Sequence, residues 1–591
     1  MGRSKKGRPA GRQQSATGKK AKPPATPQEA WQQAIAAYEG GKPRQAQNLL
    51  APLLDMPSVP GEVSLLAGLV EAQLGDSRRA EEHLRRAVQL VPERVEGWLG
   101  LGNAQHMQGR FDAAVETFRR VLKRSPDNPT ALYNMAMAWM DQGRHRDALA
   151  NLERVLELQP DWPGAEHNRA ILLARLGWAG RAHDAYEALV TKNSDDPWLR
   201  LEFAGFLDQS NRADEAAAWL PAADAFGEAT QGAAQSEGLR AQLLVREARY
   251  EEALELLDDA HRRTGEDLLG YRQGNLLDRF GRTDEAMAAF RRGNLARSKQ
   301  QVANRLRSRK YPEYVAEKIE RGILPCKSAE QAAVSDERRT PVFLVGLPRS
   351  GTTLLDRMLG AHPETQVLEE FDTLRTAESA LVAGRSPAEA RQAYWDYVDR
   401  HIDVTEGRMV IDKNPLHAPH LDVLPKVFPD ARVIIALRHP YDAALSSYMQ
   451  NFELNPASVH FLDLGSTATL CARLLTMMQL FEQACPEQAI RLRYEDLVTD
   501  FQAQVTRVLQ GIGLDWHADV AEYAARAGET GMVTTPSYEQ VTKGLYSSSI
   551  GRWQRYAAWL GPFREEIGPL LPYFGYDEAM ESSGGAENAA T

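Results

Sequence analysis

A short apolar run, Pro341 to Val345, ends in Gly346, Leu347, Pro348, Arg349, Ser350, Gly351, Thr352 and Thr353, and a helical stretch from Leu354 to Leu359 follows. Strand, glycine-bounded loop and helix in this order turn successive backbone N–H groups toward one point. The helix N-terminus adds about half a positive charge there, which suits a phosphate. The G-x-x-x-x-G spacing is that of a Walker A loop, but its lysine is replaced by Thr352, and Arg349 supplies the cation instead. A nucleoside triphosphatase would also want an aspartate near the end of a later apolar strand to help hold magnesium. The best later strand, Arg432 to Leu437, runs into Arg438. A second arginine in place of a metal-supporting anion points to a nucleotide bound without a metal and carrying an extra phosphate. It argues against a kinase or another user of ATP.

The string from Phe343 to Thr353, followed by Leu437, Arg438, His439, Pro440 and then Ser446, resembles the sulfotransferases that use 3′-phosphoadenosine 5′-phosphosulfate (PAPS) as sulfuryl donor. The closer likeness is to the protein-tyrosine sulfotransferase branch and to bacterial sulfotransferases that carry tetratricopeptide repeats, and it covers about 340 to 575. The resemblance implies that Arg349, Ser350, Gly351, Thr352 and Thr353 hold the 5′-phosphosulfate, with Arg349 also counted as catalytic. It gives the 3′-phosphate to Arg438 and to Ser446, eight residues later on the helical segment Tyr441 to Tyr448.

After His362 and Pro363 comes the pair Glu369 and Glu370, and the resemblance makes Glu370 the general base. A carboxylate there can take the proton of an attacking phenol or alcohol. Lys413, in Asp412-Lys413-Asn414-Pro415 behind the apolar Met409 to Ile411, matches the family's catalytic lysine. It would stabilise charge on the bridging oxygen as the sulfuryl group leaves. Tyr494, in Arg493-Tyr494-Glu495-Asp496-Leu497, falls on a nucleotide contact. The late segment Thr535 to Lys543 brings Ser537 as a second transition-state contact and Lys543 as a donor contact. Gly544 to Trp553 looks like a loop folding over the nucleotide, with Arg552 on the 3′-phosphate. Gln450 stands where the tyrosine branch has a further arginine, and His417, near His420, is the alternative base because other sulfotransferases use histidine. No metal is implied.

These groups need elements to hold them, and the first half of the chain supplies a pattern of another kind. Small residues recur at Ala34, Gly68, Gly102, Ala136, Ala170 and Ala204, every interval being 34 residues. Twelve residues after each come Ala46, Ala80, Ala114, Ala148, Ala182 and Ala216, and Gly41, Gly75, Gly109, Gly143 and Gly177 lie between. This is a helix with a small contact residue, a glycine turn and a second helix with a small contact residue; Pro92, Pro126 and Pro160 break the chain between units. The pattern resembles the tetratricopeptide repeat over 27 to 230, with looser copies carrying Ala241 and Ala253, then Gly274, Gly281 and Ala286. The resemblance implies about eight units in a superhelix whose concave face recruits a protein or peptide.

The expected fold class is therefore α + α/β: an N-terminal α-solenoid, then an α/β domain with a central parallel sheet. The boundaries read as a basic tail at 1–26, repeats at 27–299, a helical linker at 300–339, the sulfotransferase domain at 340–577 and a tail at 578–591. The chain carries a net charge of −10, with 43% hydrophobic and 25% charged residues, values that exclude wholesale disorder and broad nucleic-acid binding. Residues 1 to 26 hold eight cations and no acid. They lack an apolar run, so neither a signal nor a membrane anchor is expected there. Cys326, Cys471 and Cys485 lie far apart without metal spacing, which implies neither a disulfide scaffold nor a zinc site and fits a reducing cytoplasm. The expected activity is sulfuryl transfer from PAPS to a hydroxyl, a protein tyrosine first. A carbohydrate or small-molecule acceptor is the alternative, and a non-catalytic repeat scaffold with a nucleotide-sensing domain is the reading of another class.

Overall fold

The computed structural model describes residues 26–227, 230–308, 310–325, 338–523 and 550–578. It divides into two compact units, Met1–Ala165 and Glu166–Thr591. In the first, the 34-residue pattern becomes antiparallel helix pairs: Pro27–Glu39 with Pro43–Leu54, Gly61–Gln73 with Ser77–Leu90, Val95–Met107 with Phe111–Arg124, and Pro129–Asp141 with His145–Leu158. The turns close on Gly41, Gly75, Gly109 and Gly143, all at φ between 66° and 84°, the left-handed region where a side chain is strained. Gly68 and Gly102 are small for another reason. A Cβ on either would collide with Leu84 or Phe118 of the paired helix.

In the second unit Ala179–Lys192 packs on Pro197–Gln209, which pairs with Ala213–Trp219, and Gln231–Arg246 pairs with Tyr250–Thr264. Here the turn position goes to Asn211 and Ala248, both at φ 59°. The last pair is α1 (Gly270–Arg279) and α2 (Thr283–Ser298), and a further helix, α3 (Tyr311–Arg321), follows. Lys318 of α3 is buried, with its ammonium 2.6 Å from Glu378 and 2.7 Å from Asp422. Glu378 also accepts from Tyr314 at 2.8 Å and lies 2.6 Å from His420, so the buried charges are matched.

The sheet has five parallel strands: β1 (Val342–Gly346), β2 (Thr365–Glu369), β3 (Met409–Lys413), β4 (Val433–Leu437) and β5 (Ala489–Arg493), in the order β2-β3-β1-β4-β5. Every residue of β1, β3 and β4 is buried. Their side chains alternate between two apolar layers, as the period of two demands. Phe343, Val345, Val433 and Ile435 pack with Tyr394, Phe428 and Tyr441 on one face. Val342, Leu344, Ile411 and Ile434 pack with Leu354, Leu355 and Val508 on the other. Each such side chain contributes about 2 kcal/mol by leaving water.

The chain leaves β1 for β2 and β3 on one side, then crosses to β4 and β5 on the other. The strand order therefore reverses beside β1, the kind of switch point at whose carboxyl ends open α/β sheets bind ligands. Cys485 is disulfide-bonded and Cys471 is the free, buried thiol. No described helix is long and apolar enough to cross a membrane.

Candidate active site

β1 ends at Gly346 because its backbone lies against the carbonyl of Ala436 on β4 and the hydroxyl of Ser350, where a Cβ would not fit. The chain then turns through Arg349 at φ 69° and Gly351 at φ 92° into α4 (Thr352–Gly360). Two left-handed residues, one of them an arginine that pays about 1–2 kcal/mol for it, turn the chain into α4; the N–H of Ser350 closes this turn on the Leu347 carbonyl at 3.1 Å, and the first N–H groups of α4 have no carbonyl of their own helix to bond. Such a helix N-terminus suits an anion. Thr352 and Thr353 are buried beneath it, and Ser350 Oγ is buried with no partner among the described residues.

Arg349 and Ser446, 97 residues apart, meet at 3.2 Å from Nε to Oγ. Helix α5 spans Thr373–Val382, and Ser446 lies on α6 (Pro440–Tyr448). Arg438, between β4 and α6, donates to the carbonyl of Arg349 at 3.4 Å and lies 5.8 Å over the ring of Tyr494. Tyr494 follows β5 and packs against Gly351. Arg349, Gly351, Arg438, Ser446 and Tyr494 thus converge from the ends of β1, β4 and β5. Asp442, which sequence reasoning missed, faces Arg438 at 3.9 Å and accepts the N–H groups of Gly551 and Trp553, each at 2.8 Å. Burial pushes its carboxyl above the usual range.

A second cluster sits at the ends of β2 and β3. Register places Glu369 opposite Lys413. Glu370 turns out of the strand at φ 62° and donates its N–H to the Lys413 carbonyl at 2.7 Å. The Lys413 ammonium, 0% exposed, lies 2.8 Å from Glu370 Oε1, 3.1 Å from Asp356 Oδ2 and 3.6 Å from Glu369 Oε1, whereas the Glu370 side chain is 48% exposed. Burial alone would discharge the lysine, but Asp356, Glu370 and Glu369 together hold its pKa above the usual lysine range. Burial pushes the Asp356 carboxyl up to about 7 in spite of Lys413 beside it. Asp356 was also missed; it lies one turn into α4, and only the docking of α4 on β3 brings it to Lys413.

His417 is buried behind this cluster, 3.2 Å from Asp412 Oδ1 and 3.0 Å from Thr373 Oγ1. Asp412 also accepts from Thr373 at 2.6 Å and from Tyr394 at 2.9 Å. Neighbours on a strand point to opposite faces, so His417 shares the face of Asp412 and not that of Lys413. Arg552 meets Asp278 of α1, Nη2 to Oδ2 at 2.9 Å. Ser537 and Lys543 lie outside the described residues. Among the described residues, no group of three or more His, Cys, Asp or Glu could hold a metal ion.

Comparison with known proteins accounts for this architecture. Residues 341–518 match the model of the sulfotransferase family, and residues 65–129 and 106–170 match tetratricopeptide repeat models. An uncharacterized protein of Aquifex aeolicus is 28% identical over 246 residues, which are 38% of this chain and 32% of that one. Protein-tyrosine sulfotransferase 1 of Danio rerio is 24% identical over 269 residues, 40% of this chain and 72% of that one. Omega-hydroxy-beta-dihydromenaquinone-9 sulfotransferase of Mycobacterium bovis is 32% identical over 117 residues, 18% of this chain and 29% of that one. The chain spans about a third of the length of the first of these relatives. It joins tetratricopeptide repeats to a domain of the sulfotransferase family.

Proposed function

We propose that the chain transfers a sulfuryl group from PAPS to a hydroxyl, with a protein tyrosine as the first acceptor. The observation that carries this reading is the Glu370–Lys413 pair at 2.8 Å, one member half-exposed and the other fully buried, beside a phosphate-type loop lined by Arg349 and Arg438. The loop suits a doubly phosphorylated nucleotide. The start of α4 and the turn before it take the 5′ end through Arg349, Ser350, Gly351, Thr352 and Thr353, while Arg438 and Ser446 take the 3′-phosphate beside Tyr494. Lys413 on β3 and Arg438 after β4 flank β1, two strand spacings or about 10 Å apart, which is room for one nucleotide.

When bound, PAPS supplies an electrophilic sulfur whose bond to the bridging oxygen breaks, leaving adenosine 3′,5′-bisphosphate and a sulfate ester. Glu370 takes the acceptor's hydroxyl proton as that oxygen attacks. For this it releases Lys413, which Asp356 and Glu369 keep in place. Lys413 then donates to the bridging oxygen, where charge accumulates, from a water-excluded position that gives the contact its strength. Arg349, between the loop and Ser446, keeps the two ends of the donor in register. Ser537 and Lys543 add contacts from the late segment. His417 is not assigned as base, because its ring is committed to Asp412 and Thr373.

The repeats support a protein acceptor, which they would recruit. A small-molecule hydroxyl is the second reading, favoured by the relative whose name gives a hydroxylated menaquinone as acceptor. Transfer of labelled sulfate from PAPS to a lysate separates the two. Label lost to protease supports the protein reading, and label kept in lipid or other small fractions overturns it. Calorimetry with adenosine 3′,5′-bisphosphate tests the donor. No binding would sink the enzyme reading, and binding without turnover would favour a nucleotide-sensing scaffold.

A further inference from the structure

The last helical hairpin reaches into the donor-binding half of the sheet. On α2, Asn294, oriented by Tyr271 OH at 2.6 Å, donates to the carbonyl of Tyr448, the final residue of α6, at 2.9 Å. Arg297 donates to the carbonyl of Phe452 at 2.7 Å. On α1, the Asp278 carboxylate takes Arg552 Nη2 at 2.9 Å, Arg555 Nη2 at 3.1 Å and Tyr556 OH at 2.7 Å. Its backbone carbonyl accepts from Arg555 Nη1 at 3.2 Å. The residues on either side of Arg552 are fixed as well, since Gly551 and Trp553 donate their N–H groups to Asp442, which faces Arg438. Arg552 Nε is buried and has no hydrogen-bond partner among the described residues.

We propose that Asp278 is a positioning residue for the donor's 3′-phosphate, acting through Arg552, so that the last repeat hairpin forms part of the nucleotide site. The inference rests on the donor reading above. A guanidinium carries five N–H groups in a rigid fork. Asp278 engages Nη2 of Arg552 and leaves its Nε–H for another acceptor. Holding the side chain before the ligand arrives removes the entropy cost of ordering it on binding. Without Asp278, Arg552 and Arg555 lose the anion between them, repel, and turn toward water. Simple competition, in which Asp278 withholds Arg552 from the phosphate, predicts the opposite sign on removal.

The test is calorimetry on the full chain with two probes, adenosine 3′,5′-bisphosphate and adenosine 5′-monophosphate, which lacks the 3′-phosphate. Asp278→Ala is expected to weaken the bisphosphate about tenfold, the size of one charge-assisted contact, and to leave the monophosphate within about twofold. Arg552→Ala gives the same selective loss, and the double variant is no worse than Arg552→Ala alone, as for two residues acting as one. Unchanged or tighter bisphosphate binding in Asp278→Ala, an equal loss for both nucleotides, or additive single losses would overturn the inference. The isosteric Asp278→Asn carries the same comparison should the alanine variant fail to fold. Wild-type protein that binds neither nucleotide sinks the donor reading and this inference with it. Wild-type binding with a neutral Asp278 variant sinks the inference alone.

Discussion

At the β2–β3 end of the sheet's carboxyl edge, one buried lysine faces Asp356, Glu369 and Glu370 within 3.6 Å, whereas beside β1 and β4 two arginines face a hydroxyl, a backbone carbonyl and one aspartate at 3.9 Å. The first region has more acid than base in a dry setting, which suits proton transfer. The second brings two cations beside a hydroxyl and a carbonyl, which suits an anionic ligand. A phosphate displaces a serine hydroxyl or a carbonyl at little cost, but it could not displace three carboxylates. Under the proposed function turnover belongs to one end of the edge and affinity to the other, and each variant below should move one without the other.

Lys413→Met should have the largest effect. It removes the transition-state contact, which costs about 100- to 1,000-fold in turnover. It also takes the ammonium from Asp356, which is buried, and leaves Glu369 to Arg357 and Glu370 to water, so melting temperature falls as well, while calorimetric affinity for adenosine 3′,5′-bisphosphate changes little. Glu370→Gln keeps shape and burial and should lower turnover about 100-fold or more at unchanged bisphosphate affinity. Intact turnover there, with His417→Ala inactive, would transfer the base to His417. At the other end, Arg438→Ala should weaken the bisphosphate about 10- to 100-fold, the loss of one charge-assisted contact or a little more, with a smaller effect on the monophosphate. If Arg438→Ala lowered turnover at saturating donor as much as Lys413→Met does, the division would fail.

Asp356 gives the comparison a pH axis. Its folded pKa, about 7, lies above that of an unfolded aspartate near 3.8. The native state therefore holds a proton that the unfolded chain has released. That contribution is complete below about pH 4 and is lost as pH rises to about 7. Asp356→Asn should gain stability relative to wild type across that window, by a few kcal/mol at most, in urea midpoints measured from pH 4 to 8. A constant difference over that range would show that Asp356 does not change its protonation there. The smallest effect belongs far from both clusters. Ala248→Gly relieves an exposed alanine at φ 59° and should stabilise by about 0.5–1 kcal/mol, with donor affinity and turnover unchanged.

The repeats and the phosphate loop were readable because their signals are contiguous or periodic. A glycine turn at Gly75 and a small contact at Gly68 each answer a local need, and copies 34 residues apart make the need visible. The loop from Gly346 to Thr353 is one stretch of chain. β2 was not foreseen as a strand: five residues with a partly exposed edge, Thr365–Glu369, carry too little periodicity to declare one. Asp356 and Asp442 look like ordinary helix residues in the sequence. Nothing near Arg552 announces that its anion is Asp278, 274 residues earlier.

The order of residues thus determined, by itself, the helix pairs, the continuous apolar strand that feeds a phosphate-type loop, and the absence of the Walker lysine, since backbone conformation and hydrophobic pattern are set within a few residues. The tertiary structure decided which charges meet. Lys413 acquires three carboxylates, His417 is withdrawn into a network with Asp412, and Arg552 pairs with a helix of the repeats. Electrostatic partnership depends on distance and burial, and both arise only when strands far apart in sequence are laid side by side.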